Sequence, residues 1–287
     1  MTWVRRSLGV AKAGHTGTLD PEATGVLPLV LGRATRLAQF LTGADKTYEA
    51  TIRFGQSTDT CDGAGRPVGE AWGGLGVEAG LARLAAAGQL ARALSRFTGA
   101  FEQVPPAFSA KHVEGVRAHE LARKGKAVAP KAVRVTVREL TVLGREGDRL
   151  DLRVTASAGF YVRVLARDLG DALGVGAHLE RLRRTASGEF TIDMAVGPEA
   201  LEQDRAQALT RLIPMERLLT SWPAAVLTAG GVVRIGRGMD VGPADLLHLP
   251  DPPAAPRVRL LSGDGRLLAL AEPGQIPGFL HPFAVLG

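Results

Sequence analysis

Between Lys46 and Phe54 the chain alternates, with Tyr48, Ala50, Ile52 and Phe54 on one side and Thr47, Glu49, Thr51 and Arg53 on the other. A period of two puts successive side chains on opposite faces of an extended chain, so the segment predicts a half-buried strand. The same period returns over residues 132–140, where Val133, Val135 and Val137 alternate with Arg134, Thr136 and Arg138. It returns again where Leu150, Leu152 and Val154 alternate with Asp151, Arg153 and Thr155. Residues 158–163, Ala-Gly-Phe-Tyr-Val-Arg, are expected to continue as a strand before a helix reaching Leu173. On a strand, Tyr161 and Arg163 would share a face. Helical spacing predicts one or two packing helices over 77–97 and one or two amphipathic helices over 201–219. A short helix is expected over 34–41, ended near Gly43, and the tail of a basic helix over 2–8 with Arg5 and Arg6 exposed.

Ser221-Trp222-Pro223 marks a boundary, and the pattern changes beyond it. Short strand-like runs at 225–227, 232–235, 257–261 and 267–271 are separated by Gly and Pro, including Asp251-Pro252-Pro253. This predicts a small β-rich module over 220–287, following a larger domain over 1–219.

A chain of 287 residues is long enough for one large or two modest domains with a real core. Its 45% hydrophobic and 22% charged residues are ordinary for a soluble globular protein. The single cysteine, Cys61, excludes an internal disulfide framework and a cysteine-based zinc cluster, and the six histidines show no metal-ligand spacing. With no signal peptide and no apolar run long enough to span a bilayer, a cytoplasmic, metal-free protein is expected.

The net charge of +6 suits a polyanionic partner, and its distribution sharpens the point. From Lys111 to Arg134 there are seven Lys/Arg and two Asp/Glu, a local +5. A charge run is usually a solvated face. Confinement of the excess to one insertion, opened by Pro105-Pro106 and containing Arg123, Lys124 and Lys126, argues instead for an arm that grips phosphates.

Candidate chemistry begins at Gly14-His15-Thr16-Gly17-Thr18-Leu19-Asp20-Pro21. Glycines on both sides of His15-Thr16 permit a sharp turn or a close approach to a ligand, and Pro21 disfavours a helical Asp20. Asp20 is thus a short acid on a stiff loop, either a turn or helix-cap residue or a mounted reactive group. The loop over 55–69, with Thr58-Asp59-Thr60-Cys61-Asp62, lacks the glutamate of a calcium loop and reads as a surface loop. A nucleotide-hydrolysing phosphate loop is a weak alternative, because no Gly-Lys-Ser/Thr follows the glycines.

Ala13 to Pro21, Ala23-Thr24-Gly25-Val26-Leu27-Pro28 and Gly32-Arg33-Ala34-Thr35 closely resemble the TruB family of tRNA pseudouridine synthases. The resemblance implies an α+β pseudouridine synthase fold: a central antiparallel sheet flanked by helices and loops, with an inserted thumb at about 101–134. Asp20 would then be the nucleophile, Arg163 its ion-pair partner with Tyr161 beside it, and Tyr48 the ring that stacks on the target base and helps remove the C5 proton. Leu182 would pack against the base, and His15 would enter the RNA loop and fill the vacated space. The family carries a similar Thr-Asp motif in the 55–69 loop, which would bring that loop near the site. The thumb, with Arg123, Lys124 and Lys126, would grip an RNA stem-loop. Arg181, Arg183 and Arg184 would touch phosphates or lie at the surface. Gly236-Arg237-Gly238 loosely resembles the PUA RNA-binding domain.

Family members usually carry a strand and a lysine-proline turn ahead of the first helix, so either the true start lies upstream or the fold tolerates an unpaired sheet edge. The implied reaction breaks the N1–C1′ bond of a flipped-out uridine, turns the base and rejoins it through C5. It neither oxidises anything nor consumes water, so no cofactor is expected. The expected partner is the T stem-loop of tRNA, modified at uridine 55 by a monomer, with no membrane and no metal. A non-catalytic RNA-binding or tRNA-folding protein using the same thumb and C-terminal module is the alternative. A buried ion pair adds little stability because desolvation offsets the attraction, so an Asp20–Arg163 pair in a cleft would favour catalysis.

Overall fold

The alternating segments pair with one another. In a computed structural model, which describes residues 1–72, 76–106, 112–113, 116–117, 131–250 and 255–286, they build one seven-stranded sheet. Lys46–Phe54 lies between Arg149–Ala156 and Ala177–Ser187; Val133–Glu146 and Gly99–Gln103 extend one side, and Phe190–Thr191 closes the other. These pairings are antiparallel, and Thr24–Gly25 adds a short parallel contact to Ala177–Ser187.

Register explains the alternation. Ala50 faces Leu152 and Leu182, and Ile52 faces Leu150 and Leu179, so apolar side chains fill one face. Ile52, Leu150, Leu152 and Val154 are fully buried there. Burying each such side chain contributes about 1.5–3 kcal/mol. The other face carries polar cross-strand pairs: Thr51 Oγ1 donates to Asp151 (2.6 Å), and Arg153 pairs with Glu49 (2.7 Å).

Helix Val162–Leu173 covers the apolar face through Val162, Leu165, Ala166 and Leu169, which recur at helical spacing. Helices Val77–Ala86 and Gln89–Ser95 join the same core through Leu81, Leu90 and Ala93. The strand expected over 158–163 does not form. A turn at 157–160 precedes Tyr161, which is the extended cap residue, and Arg163 lies in the first helical turn. Arg163 therefore reaches its partner from a helix, and Tyr161 does not share a strand face with it. The helical period already begins at Val162 and overrides the short alternation.

Residues 17–28 and 42–195 form this sheet unit; residues 1–16, 29–41 and 196–287 form a second unit, so each is discontinuous along the chain. A single cut at residue 219 does not separate them. The second unit has a five-stranded sheet in the order Leu246–His248, Ala224–Leu227, Val258–Leu261, Leu267–Pro273, Leu280–Val285. Within it Phe40, Trp222 and Phe283 meet edge-on or tilted, and Arg257 lies over the first two rings.

One expectation about this unit is corrected. The run at 232–235 is not a strand but part of helix Ala229–Gly236. Thr228 caps that helix by accepting from Gly231 N–H (3.1 Å), and Ile235 turns inward while Val233 stays exposed. The helices expected over 201–219 are two, Pro198–Gln203 and Arg205–Thr210, separated where the Asp204 carboxylate caps the second through Gln207 N–H. No helix among the described residues is long and apolar enough to cross a membrane.

Candidate active site

Asp20 is fixed by its neighbours. Its carbonyl accepts from Ala23 N–H (2.9 Å), closing a four-residue turn with Pro21 at the second position, which suits proline's fixed φ. The chain then zips onto the sheet: Gly25 runs beside Arg184, and Val26 N–H donates to the Arg184 carbonyl (2.8 Å). Gly25 has φ 101°, and a Cβ there would lie 2.1 Å from that carbonyl oxygen, so only glycine fits.

Arg163 meets Asp20 with both arms of its guanidinium. Nε donates to Oδ2 (2.9 Å) and Nη2 to Oδ1 (3.1 Å), the bidentate fork that suits a carboxylate. Nη1 donates to the Thr60 carbonyl (3.3 Å) and to Asp62 Oδ2 (3.4 Å). The Arg163 side chain is 9% exposed and that of Asp20 35%, so the cation is enclosed while the carboxylate still opens to a ligand.

Asp62 comes from the stretch expected to be a surface loop. That stretch instead folds onto the sheet: Ser57–Thr58 pairs with Pro67–Val68, Cys61 is buried, and Asp62 bridges to Leu179. Asp62 Oδ1 accepts from Thr60 Oγ1 (2.5 Å) and Ala64 N–H (3.2 Å), which aims Oδ2 at Arg163. Burial pushes the Cys61 thiol up, partly opposed by Arg167, so it stays protonated at neutral pH.

Tyr48 lies opposite Val154 on one side and Arg184 on the other, half-buried against the core. Burial pushes its phenol up; Arg184 opposes this by charge and hydrogen bond, and Asp20 adds a smaller upward push. Tyr48 therefore feels both Arg184 and Asp20, and at neutral pH it is a protonated phenol rather than a free phenolate. Leu182 lies two residues before Arg184 on the same strand, opposite Ala50.

Tyr161 is held through its backbone, with Gln103 accepting from its N–H (2.8 Å) and donating to its carbonyl (3.1 Å). His15 belongs to the second unit, exposed on the short strand Ala13–His15 opposite Leu29. Arg123, Lys124 and Lys126 lie outside the described residues.

Arg184 departs most from expectation. It is 2% exposed and neither meets solvent nor lies at the surface. Sequence reading also passed over Gln103 and Lys46, both buried. A basic residue heading a strand, as Lys46 does, was the available signal. Burial pushes the Lys46 ammonium down, as does the charge of Arg184, against a smaller upward pull from Asp45.

Residues 5–162 match the family model described as TruB family pseudouridylate synthase (N terminal domain). Residues 163–220 match that of the tRNA pseudouridylate synthase B C-terminal domain. A Solibacter usitatus protein named tRNA pseudouridine synthase B is 46% identical over 285 residues, covering 99% of this chain and 93% of that one. A Burkholderia pseudomallei protein of the same name is 41% identical, covering 97% and 88%. Among solved structures, a chain of a Cbf5-Nop10-Gar1 complex superposes over all of this chain and 80% of its own, with TM-score 0.72 and 25% identity. A chain from an H/ACA RNP bound to a substrate RNA aligns with TM-score 0.70 at 23% identity, covering the same shares, and speaks to the fold alone.

Proposed function

The chain belongs to the TruB family of pseudouridine synthases, enzymes that isomerise uridine in tRNA, and from that premise we propose that it modifies uridine 55 of the T-loop with Asp20 as nucleophile. The observation that carries this reading is the partly open Asp20 carboxylate gripped by an enclosed Arg163. A stability role explains it poorly, since enclosing a charge pair costs about what the attraction returns. An anion held on a rigid turn suits covalent catalysis.

The target uridine leaves the RNA stack at a cost of a few kcal/mol. Asp20 adds to it at ribose C1′ or base C6. The N1–C1′ bond breaks, the freed base turns between Tyr48 and Leu182, and a C5–C1′ bond forms. The proton lost from C5 and the proton gained by N1 balance, and Asp20 departs unchanged. His15 fills the space the base leaves. Arg123, Lys124 and Lys126 grip the stem's phosphates, and the C-terminal five-stranded module adds RNA contacts. In this reading the chain acts as a monomer, and the substrate class supports a cytoplasmic setting.

The test is Asp20→Asn, which keeps the shape and removes the nucleophile. The expected outcome is no pseudouridine by mass mapping of unmodified tRNA, with RNA affinity retained. Turnover in that variant overturns the assignment, and pseudouridine at a site other than 55 overturns the substrate position.

A further inference from the structure

We infer that Arg184 is a positioning residue for isomerisation: its buried guanidinium latches the 17–28 loop to the sheet and so sets where the Asp20 carboxylate stands. The inference rests on Asp20 being the nucleophile.

The geometry is a fork turned on a backbone. Nε donates to the Val26 carbonyl (2.7 Å), Nη2 to the Gly17 carbonyl (3.3 Å) and Nη1 to the Thr18 carbonyl (3.4 Å). These acceptors lie on both sides of Asp20 in the chain, so one side chain ties down the loop's entry and its exit. The Arg184 backbone holds the exit a second time, through Val26 N–H and the close pass at Gly25. A register shift between Arg184 and Ala186 marks a bulge here, a device that re-aims side chains from a strand.

Burying an arginine for packing alone is unfavourable unless its donors are satisfied. An apolar residue would fill the same space without that demand. Among the described residues Arg184 makes no ion pair within salt-bridge distance; carbonyl oxygens of the loop satisfy it instead, and its charge also reaches Tyr48 and Lys46. The group therefore contacts the loop that carries the nucleophile and lies in register with Tyr48 on the neighbouring strand. Arg163 grips the Asp20 carboxylate directly, and Arg184 fixes the chain on which that carboxylate is mounted.

The experiment compares Arg184→Met with the parent chain, and Asp20→Asn beside them, on unmodified tRNA. A misplacement near 1 Å is worth about 100-fold in rate, so Arg184→Met is expected to lower the single-turnover rate by about that factor. The dissociation constant for tRNA should hold. Hydrogen exchange should quicken in residues 18–27 while strands Lys46–Phe54 and Arg149–Ala156 stay protected. An unchanged rate overturns the latch, as does a weaker dissociation constant at an unchanged rate, or loss of protection throughout the sheet. If Arg184→Met does not fold, Gly25→Ala decides: it lifts the loop with the guanidinium intact and should give the same signature, and a normal rate there overturns the inference. Turnover by Asp20→Asn sinks the nucleophile assignment; its failure with a fully active Arg184→Met sinks only the latch.

Discussion

At the scale of single residues, the site works by dividing one guanidinium between two acids. Arg163 gives two bonds to Asp20 and shares its remaining arm between Thr60 and Asp62. Asp62 thus draws off part of a charge that would otherwise fall on Asp20, the proposed nucleophile, alone. Asp62→Asn is expected to tighten the Asp20 fork and slow isomerisation on the order of tenfold, the effect of about 1.4 kcal/mol in a barrier. Saturating-rate measurements check this, and an unchanged rate would show that Asp62 only props the loop. Tyr48 offers a second reading at this scale. Burial holds its phenol above the ordinary range despite Arg184, and Asp20 pushes the same way. The folded chain keeps that proton more tightly than the unfolded one, so the stability tied to it is present below pH about 10 and is lost as pH rises through the higher folded value. The chain has two tyrosines, Tyr48 and Tyr161, so a Tyr161→Phe variant isolates the signal. Its phenolate absorbance should rise only above pH about 10; a rise near neutrality would make Tyr48 a free base instead.

At the scale of elements, strands declare themselves wherever one face is buried and the other wet. Lys46–Phe54 and Arg149–Ala156 were legible for that reason, and their apolar residues do meet across the sheet. Elements buried more evenly were not. The Ala177–Ser187 strand carries two bulges that break its period, and no strand was read there. The 232–235 run has strand-forming residues, but a threonine cap and a three-residue step toward the core make it helical. In the site, Asp20 and Arg163 were legible through motif. The contacts of Asp62 and Arg184 were not, because burial of a charged side chain is a property of the partner segment it meets. Sequence spacing carries no record of that meeting. The central sheet makes a direct prediction: Leu152 is fully buried between two neighbouring strands. Leu152→Ala should cost about 2–5 kcal/mol through lost transfer energy and a cavity. The denaturation midpoint should fall with its slope unchanged; a shift within a few tenths of a kcal/mol would mean the site collapses on mutation.

At the scale of the whole molecule, positive charge has two separate tasks in the proposed mechanism. The stretch from Lys111 to Arg134 holds a local +5, which leaves twenty-eight basic against twenty-seven acidic residues elsewhere. Affinity for a polyanion drawn from that stretch must weaken as salt rises, because each phosphate it neutralises releases counterions. Arg163 and Arg184 are enclosed and satisfied by the protein itself. Charges so placed release few counterions, and in the proposed mechanism they are assigned to rate instead. The two tasks predict opposite signatures. Replacing Arg123, Lys124 and Lys126 by alanine should weaken tRNA binding and flatten the plot of log affinity against log salt by about 2 to 3. The rate at saturating tRNA should be kept. Arg184→Met should leave that slope as it is and lower the rate. Binding titrations at several salt concentrations, with single-turnover rates on the same samples, separate the cases. A triple variant with an unchanged slope would remove the insertion from the RNA interface and move the source of affinity to the cations outside it.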